Sequence, residues 1–385
     1  MKIGIDLRMY RSSVAGIGRY SQNLIKNLLE IDKENEYVFF MTEVDKKEFL
    51  SNEVKSGWSK TLMTPKIVTV DIPHYSIAEQ TKLPGIIEKE NVDLMFFTNT
   101  NYPVRYHGKF IVAIHDLTLY FFPETARKNN FLRRKAFNFV LKNAVKKSTK
   151  IITDSENTKK DIMKVYHPDP EKIKVIMLAA DDKKLKSQTA CFANLKIEEI
   201  KQKYRIGNEP VVLYVGQFRA HKNIANLVRA FDIVRKNLPA KLVLIGKPDP
   251  NYQELVERVD KSPYKSDIIE PGFVSDEELA AWYKLSKCYA FPSLYEGFGL
   301  PALEAMAAGT AVVTSNRSSL PEVCGEATIY FNPENVDEMA DKIKMVLTDE
   351  KLRKSLIKKG KIQAAKFSWK VTAEETLKIF QEIKS

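Results

Sequence analysis

Three cysteines in 385 residues are too few, and odd in number, for a disulfide framework. Cys191, Cys288 and Cys324 also lack metal-ligand spacing, so the cytoplasm is the default compartment. No apolar run approaches the ~20 residues needed to cross a bilayer. Met1-Lys-Ile-Gly-Ile-Asp6 carries an acid where a signal peptide would have its apolar centre, and reads as a first strand. There is no D-x-D metal motif, no internal repeat and no low-complexity tract. Acidic residues are the minority charge, 49 against 61 basic, for a net +12. That balance favours nucleotides, anionic lipid heads or nucleic acid, and charge alone does not choose among them. No nucleic-acid recognition motif supports the last, so no nucleic-acid partner is expected.

What is present describes a globular α/β chain long enough for two domains, 44% hydrophobic and 29% charged. Strand patterns at Lys2–Leu7, Tyr37–Met41, Ile67–Val70, Asp93–Thr98, Phe110–His115, Ile151–Asp154 and Lys172–Leu178 alternate with helical patterns. A second series runs through Val211–Gly216, Lys241–Ile245, Ile268–Glu270, Cys288–Phe291 and Ala311–Thr314. Strand alternating with helix implies parallel, doubly wound sheets, which bind ligands beyond the carboxyl ends of their strands. Asn99-Thr-Asn101 and His115-Asp116 sit at two such ends. Between the two series, Asp181 to Tyr204 is lysine-rich and weakly periodic, and reads as a linker with a helix. Gly16 and Gly18 precede an amphipathic helix bearing Leu24, Leu28 and Ile31, but the third glycine of a dinucleotide fingerprint is missing. A dehydrogenase is a poor reading.

The stretch Phe291–Gly309, FPSLYEGFGLPALEAMAAG, organises the second series. Cys288-Tyr-Ala-Phe291 reads as a buried strand, Ser293 to Gly299 as a glycine-rich turn, and Pro301 opens a helix that Gly309 stops. Glycines let backbone N–H groups approach an anion, and a helix N-terminus adds partial positive charge. Glu296 lies on the turn and Glu304 one helical turn in, with seven residues between them. Amides for a phosphate, bracketed by two carboxylates, suit a phosphorylated and hydroxyl-rich ligand: a nucleotide sugar.

These residues resemble the signature of the retaining glycosyltransferases of family 4. The glutamate pair joined by Gly-Phe-Gly-Leu-Pro carries the resemblance, together with Gly309-Thr-Ala-Val-Val-Thr-Ser-Asn316 and Ser319-Leu-Pro-Glu-Val323. His115-Asp-Leu-Thr-Leu-Tyr-Phe-Phe-Pro-Glu124 resembles the corresponding segment of the mannosyltransferase-like branch. The resemblance implies a GT-B fold, with two Rossmann-like domains facing across a deep cleft. Residues 1–185 would form the acceptor-side domain, 186–367 the nucleotide-sugar domain, and 368–385 a helix packing back on the first.

The resemblance also implies roles. Glu304 would accept the ribose hydroxyls. Glu296, with the Phe298 and Gly299 amides and Leu300 at the helix start, would hold the sugar. Lys222 matches a diphosphate-binding lysine, while His221 stands where that branch has arginine, so Arg219 is the substitute candidate. Such cations stabilise the leaving diphosphate as its charge grows. His115 would contact the sugar across the cleft, and Gly16, Gly18 and Arg19 would form a loop facing it. Gly216 joins the ligand-contacting set, and the Gly272-Phe273-Val274 backbone would meet the base. Family members dispense with metal, so neither metal nor cofactor is expected, and the leaving phosphate oxygen would take the acceptor proton.

The expected reaction is therefore retaining transfer of a hexose to a saccharide or lipid-linked acceptor in polysaccharide biosynthesis. GDP-mannose is the first donor and a UDP-hexose the second. An epimerase of the same fold would not be expected to carry both the glutamate pair and the His115 segment. A glycogen-synthase-like enzyme usually opens with a lysine-glycine-glycine loop, absent here. A nucleotide-sugar sensor without turnover remains the non-enzyme alternative, and the two carboxylates with His115 argue against it. Finally, Arg127 to Lys150 carries nine basic residues and no acid on a helical pattern with an apolar face. It reads either as a solvated face over the sheet or as peripheral contact with the anionic inner face of a membrane.

Overall fold

The computed structural model describes residues 1–14, 16–56, 64–123, 131–181, 190–247, 249 and 252–384. Arg127, Lys128 and positions 182–189 of the predicted linker lie outside the described residues, while the rest of the linker forms the helix Ala190–Tyr204. The chain forms two compact units. The first comprises Met1–Tyr120, Asn129–Leu178 and Ser368–Ser385; the second comprises Phe121–Lys128 and Ala179–Phe367.

Among the described residues the first unit is built on seven parallel strands: β1 (Lys2–Asp6), β2 (Glu36–Met41), β3 (Lys66–Thr69), β4 (Leu94–Phe97), β5 (Phe110–Ala113), β6 (Lys150–Thr153) and β7 (Ile173–Val175). Their order is β3-β2-β1-β4-β5-β6-β7, with Gly4 opposite Val38 on one side and Met95 on the other. Strands β4 and β5 are buried throughout, as expected of parallel strands covered on both faces. The helix Gly16–Ile31 turns Tyr20, Leu24, Ile25, Leu28 and Leu29 inward at helical spacing. Ser155 caps the helix Glu156–Tyr166 by accepting the Thr158 N–H at 3.1 Å, as its position just after β6 predicts. The terminal helix Trp369–Lys384 packs on this unit. Trp369 lies against Tyr20, Phe380 against Phe96, and Thr372 Oγ1 donates to the Met177 carbonyl at 2.8 Å.

Among the described residues the second unit holds six parallel strands: β8 (Val211–Val215), β9 (Lys241–Ile245), β10 (Ile268–Gly272), β11 (Cys288–Phe291), β12 (Val312–Ser315) and β13 (Thr328–Phe331). Their order is β10-β9-β8-β11-β12-β13. The last strand was not expected from sequence: among the described residues β13 pairs on one side only, and its middle residues are half-buried. The helix Glu43–Ser56 was equally weakly marked, because charged residues interrupt its apolar periodicity. Among the described residues no helix is long and apolar enough to cross a membrane.

Candidate active site

In the second sheet, β8 connects onward to β9 on one side and β11 to β12 on the other. Successive crossovers therefore leave in opposite directions, and the carboxyl ends of β8 and β11 border the crevice where such sheets bind ligands. The loop after β8 carries Gly216, Arg219, His221 and Lys222; the loop after β11 carries Glu296, Phe298 and Gly299. The two loops are joined by backbone. The Leu294 N–H donates to the His221 carbonyl at 2.8 Å. Asn223, in the left-handed region at φ 58°, donates through Nδ2 to the carbonyls of Pro292 at 3.1 Å and Pro333 at 2.7 Å.

Within this frame Lys222 and Glu296 meet. Lys222 Nζ lies 2.7 Å from each Glu296 carboxylate oxygen, with the lysine side chain 18% and the glutamate 9% exposed. The Glu296 carbonyl accepts the Ser318 hydroxyl at 2.6 Å and the Ser319 hydroxyl at 3.0 Å; Ser319 also donates to the Phe298 carbonyl at 2.9 Å. Phe298 is buried against Phe367, edge to face at 5.7 Å. Gly299 turns the chain into the helix Leu300–Ala308 at φ 103°, and a Cβ there would lie 2.7 Å from Leu320 Cδ2. The turn, at positive φ, requires glycine. Leu300 is the first helical residue, Pro301 the second, and Gly309 ends the helix in the left-handed conformation. Glu304 is buried on this helix and accepts the Tyr283 hydroxyl at 3.4 Å.

His221 is buried, and burial, with Lys222 and Arg219 alongside, pushes its pKa down to about 2. It is neutral, and its Nδ1 has no hydrogen-bond partner among the described residues. It cannot supply the charge of the arginine expected at its position. Arg219, half-buried two residues earlier, remains the cation of that loop besides Lys222. The Phe122 ring packs near His221 at 6.1 Å and near Tyr295 at 6.0 Å. At the sheet edge, Gly272 ends β10 at φ 78°, Phe273 projects 88% exposed, and Val274 turns inward.

The remaining candidates lie in the first unit. His115 follows β5 and is held at both ring nitrogens. Nδ1 is 2.8 Å from Asp154 Oδ2 and Nε2 is 2.9 Å from the Thr98 carbonyl. Burial disfavours the imidazolium, but the Asp154 carboxylate and these hydrogen bonds outweigh it and raise the pKa to about 9. Tyr20 packs edge-on against the ring at 4.6 Å. Any ligand hydrogen bond to a ring nitrogen of His115 requires one of the two existing contacts to open. Gly16 begins its helix with open space beside it, and Arg19 is half-buried one turn in. Gly18 instead admits the Arg11 carbonyl, which would lie 2.3 Å from a Cβ. Packing alone accounts for that glycine.

Sequence reasoning passed over a second polar centre at the ends of β1 and β4. Arg8 donates to both Asp6 oxygens at 2.9 and 2.7 Å, to Glu79 at 2.7 Å and to the Ile72 carbonyl at 3.1 Å. Asn101 Nδ2 also donates to Glu79, and Thr98 Oγ1 donates to the Asp6 carbonyl at 2.7 Å. Arg8, Asp6 and Glu79 are essentially inaccessible. Asp6 and Arg8 were visible at a strand end, but Glu79, 71 residues beyond Arg8, carried no signal that would join it to them.

Residues 14–184 match the family described as Glycosyltransferase Family 4, and residues 196–363 match Glycosyl transferases group 1. The chain belongs to glycosyltransferase family 4. Over 392 aligned residues this glycosyltransferase is 27% identical to O-antigen chain mannosyltransferase B of Escherichia coli, covering 99% of the chain and 100% of that protein. It is 37% identical over 192 residues to the serotype-specific mannosyltransferase WbdA of Escherichia coli, but that match spans 49% of the chain and only 23% of the longer protein. The structure of Anabaena HepE in complex with UDP and glucose superposes with a TM-score of 0.77 at 15% identity, covering 99% and 100% of the two chains. That likeness shows the fold, GT-B with two Rossmann-like domains.

Proposed function

We propose that this glycosyltransferase moves a hexose, with retention at the anomeric carbon, from a nucleotide diphosphate sugar to a saccharide or lipid-linked acceptor. The observation that carries the reading is the pairing of a cation, Lys222, with a carboxylate, Glu296, at the carboxyl ends of the strands where the second sheet reverses direction. An anion site and a hydroxyl-binding site are thereby adjacent. In this reading Lys222 and Arg219 take the diphosphate, the Phe298 and Gly299 amides and Glu296 hold the sugar, and Glu304 holds the ribose. Gly272 to Val274 line the base. The cations lower the barrier because the diphosphate gains charge as the glycosidic bond breaks. The leaving phosphate oxygen accepts the acceptor proton, with no metal required.

Mannose from GDP-mannose is the preferred donor, supported by the relatives named mannosyltransferases. A UDP-hexose is the second reading, supported by the UDP and glucose bound to the structurally similar HepE. A donor panel of GDP- and UDP-hexoses, assayed for nucleotide release with a lipid-linked acceptor, separates them. Proton NMR of the product reads the anomeric configuration. An inverted product overturns retention, and activity that is lost on chelation and restored by a divalent ion overturns metal independence.

Membrane contact belongs to the same reading. The helix Phe131–Lys147 buries Leu141, Ala144 and Val145 and exposes Phe131, Leu132 and Phe139 beside Lys135, Lys142, Lys146 and Lys147. Lys135 Nζ sits over the Phe131 ring at 4.4 Å. An exposed face that is both aromatic and basic suits anionic lipid heads over water alone. Sedimentation with anionic vesicles should show binding that weakens as salt rises. Equal binding to neutral vesicles, or none to either, removes this part of the proposal.

A further inference from the structure

Diphosphate binding and sugar binding, the two tasks proposed above for Lys222 and Glu296, fall to groups that hold one another. We propose that the pair is a latch opened by the donor: the diphosphate takes Lys222 from Glu296, and only then is the Glu296 carboxylate available to the sugar. This inference rests on the nucleotide-sugar reading above.

Three observations support it. The contact is symmetric, with Nζ at 2.7 Å from both carboxylate oxygens, so Glu296 has both acceptor atoms turned toward the lysine. The pair is partly open to solvent, at 18% and 9% side-chain exposure, so an incoming anion reaches it without unfolding its surroundings. The backbone on each side is tied down. Asn223, next to Lys222, is held by the carbonyls of Pro292 and Pro333, and Glu296 is held by Ser318 and Ser319. Side-chain rotation is therefore the available motion, and lysine has the flexible four-carbon stem and rotatable donors to make it.

The charges set the direction. Together the two side chains carry no net charge. A diphosphate brought against it is attracted by Lys222 and Arg219 and repelled by Glu296, which also competes for the lysine. Glu296 thus weakens the binding of the bare nucleoside diphosphate. In the donor complex that penalty is offset by hydrogen bonds from sugar hydroxyls to the freed carboxylate. Once the sugar has left, the carboxylate returns to Lys222 and favours release of the product. A Glu296 that only touched sugar would leave nucleoside diphosphate affinity unchanged.

The test is calorimetric titration of the full chain with GDP and with UDP, for the wild type, Glu296→Gln, Lys222→Ala and the double variant. Glu296→Gln should bind the cognate nucleoside diphosphate about tenfold more tightly than the wild type, since a like charge and a competitor are removed together. The same substitution in the Lys222→Ala background should give a markedly smaller gain, because the competition for the lysine is gone. Glu296→Asp, which keeps the charge on a shorter arm, should fall between wild type and Glu296→Gln, and it carries the test if the glutamine variant does not fold. Unchanged or weaker nucleotide binding by Glu296→Gln and Glu296→Asp overturns the latch while leaving the transferase reading intact. Failure of the wild type to bind either nucleotide overturns both.

Discussion

The two sheets reverse direction at equivalent points, between β1 and β4 in the first unit and between β8 and β11 in the second, and the charges placed there behave differently. In the first, Arg8 is shared by Asp6, Glu79 and a backbone carbonyl, and Asn101 and His74 also contact Glu79, with Arg8, Asp6 and Glu79 out of reach of solvent. In the second, Lys222 and Glu296 hold one another near the surface. The same topology thus carries a closed network in one unit and a partly solvent-exposed pair in the other. The histidines of the two units make the same point. Burial is the largest influence on both and opposes charge on both. His115 has a carboxylate beside it and ends near 9; His221 has two cations beside it and ends near 2. Topology prepares the position, and the neighbouring charge decides its chemistry.

The strongest way to break the comparison is to remove each cation. Arg8→Ala leaves Asp6 and Glu79 buried without their partner, and should lower stability by about 3–5 kcal/mol, read by urea or thermal denaturation. Lys222→Ala should leave the melting temperature nearly unchanged. It should instead cost about 2–5 kcal/mol in kcat/KM, measured by steady-state kinetics at low donor concentration. If Lys222→Ala destabilises the fold as much as Arg8→Ala does, the distinction between a structural and an exchangeable charge fails.

Within the second unit the two glutamates should separate. Glu296 is placed on the loop where positive charge would develop on the sugar, so Glu296→Gln should lower kcat by about 2.7–4 kcal/mol in activation free energy. Glu304 sits on the helix, in the ribose position of the proposed donor, so Glu304→Gln should raise KM and weaken nucleotide binding with little change in kcat. A Glu304→Gln variant with intact nucleotide affinity and a low kcat would reverse the assignment.

The effects of pH are spread over several pH units, and their signs oppose. His115 has a raised folded pKa, so its contribution to stability is fully present below its ordinary 6.5 and is lost as pH rises through about 9. His221 has a depressed folded pKa, so its contribution is present above 6.5 and is lost as pH falls toward about 2. Each limb should change at up to about 1.4 kcal/mol per pH unit. Thermal denaturation across that range should show the alkaline limb flattened in His115→Gln and the acid limb flattened in His221→Gln. Identical pH profiles in the two variants would remove the contrast.

The strand-turn-helix at Cys288–Gly309 was legible because its determinants are local: a short apolar run, a glycine needed at positive φ, a proline at the helix start and a glycine at its end. Most parallel strands were legible for the same reason, since burial on both faces demands continuous β-branched and aromatic runs; β13, an edge strand like β3, β7 and β10, was missed although Ile329, Tyr330 and Phe331 form such a run. Glu296, Glu304 and Lys222 could be named from sequence. That Lys222 and Glu296 hold each other could not, because they are 74 residues apart and meet only when β8 and β11 become neighbours. The partners Asp154 for His115 and Glu79 for Arg8 are likewise products of strand order, at separations of 39 and 71 residues. Sequence by itself determined which residues carry charge at strand ends, because periodicity and turn chemistry are short-range. The tertiary structure alone decided which charges are paired, buried or exposed, because electrostatic partnership depends on distance in space and on access of water.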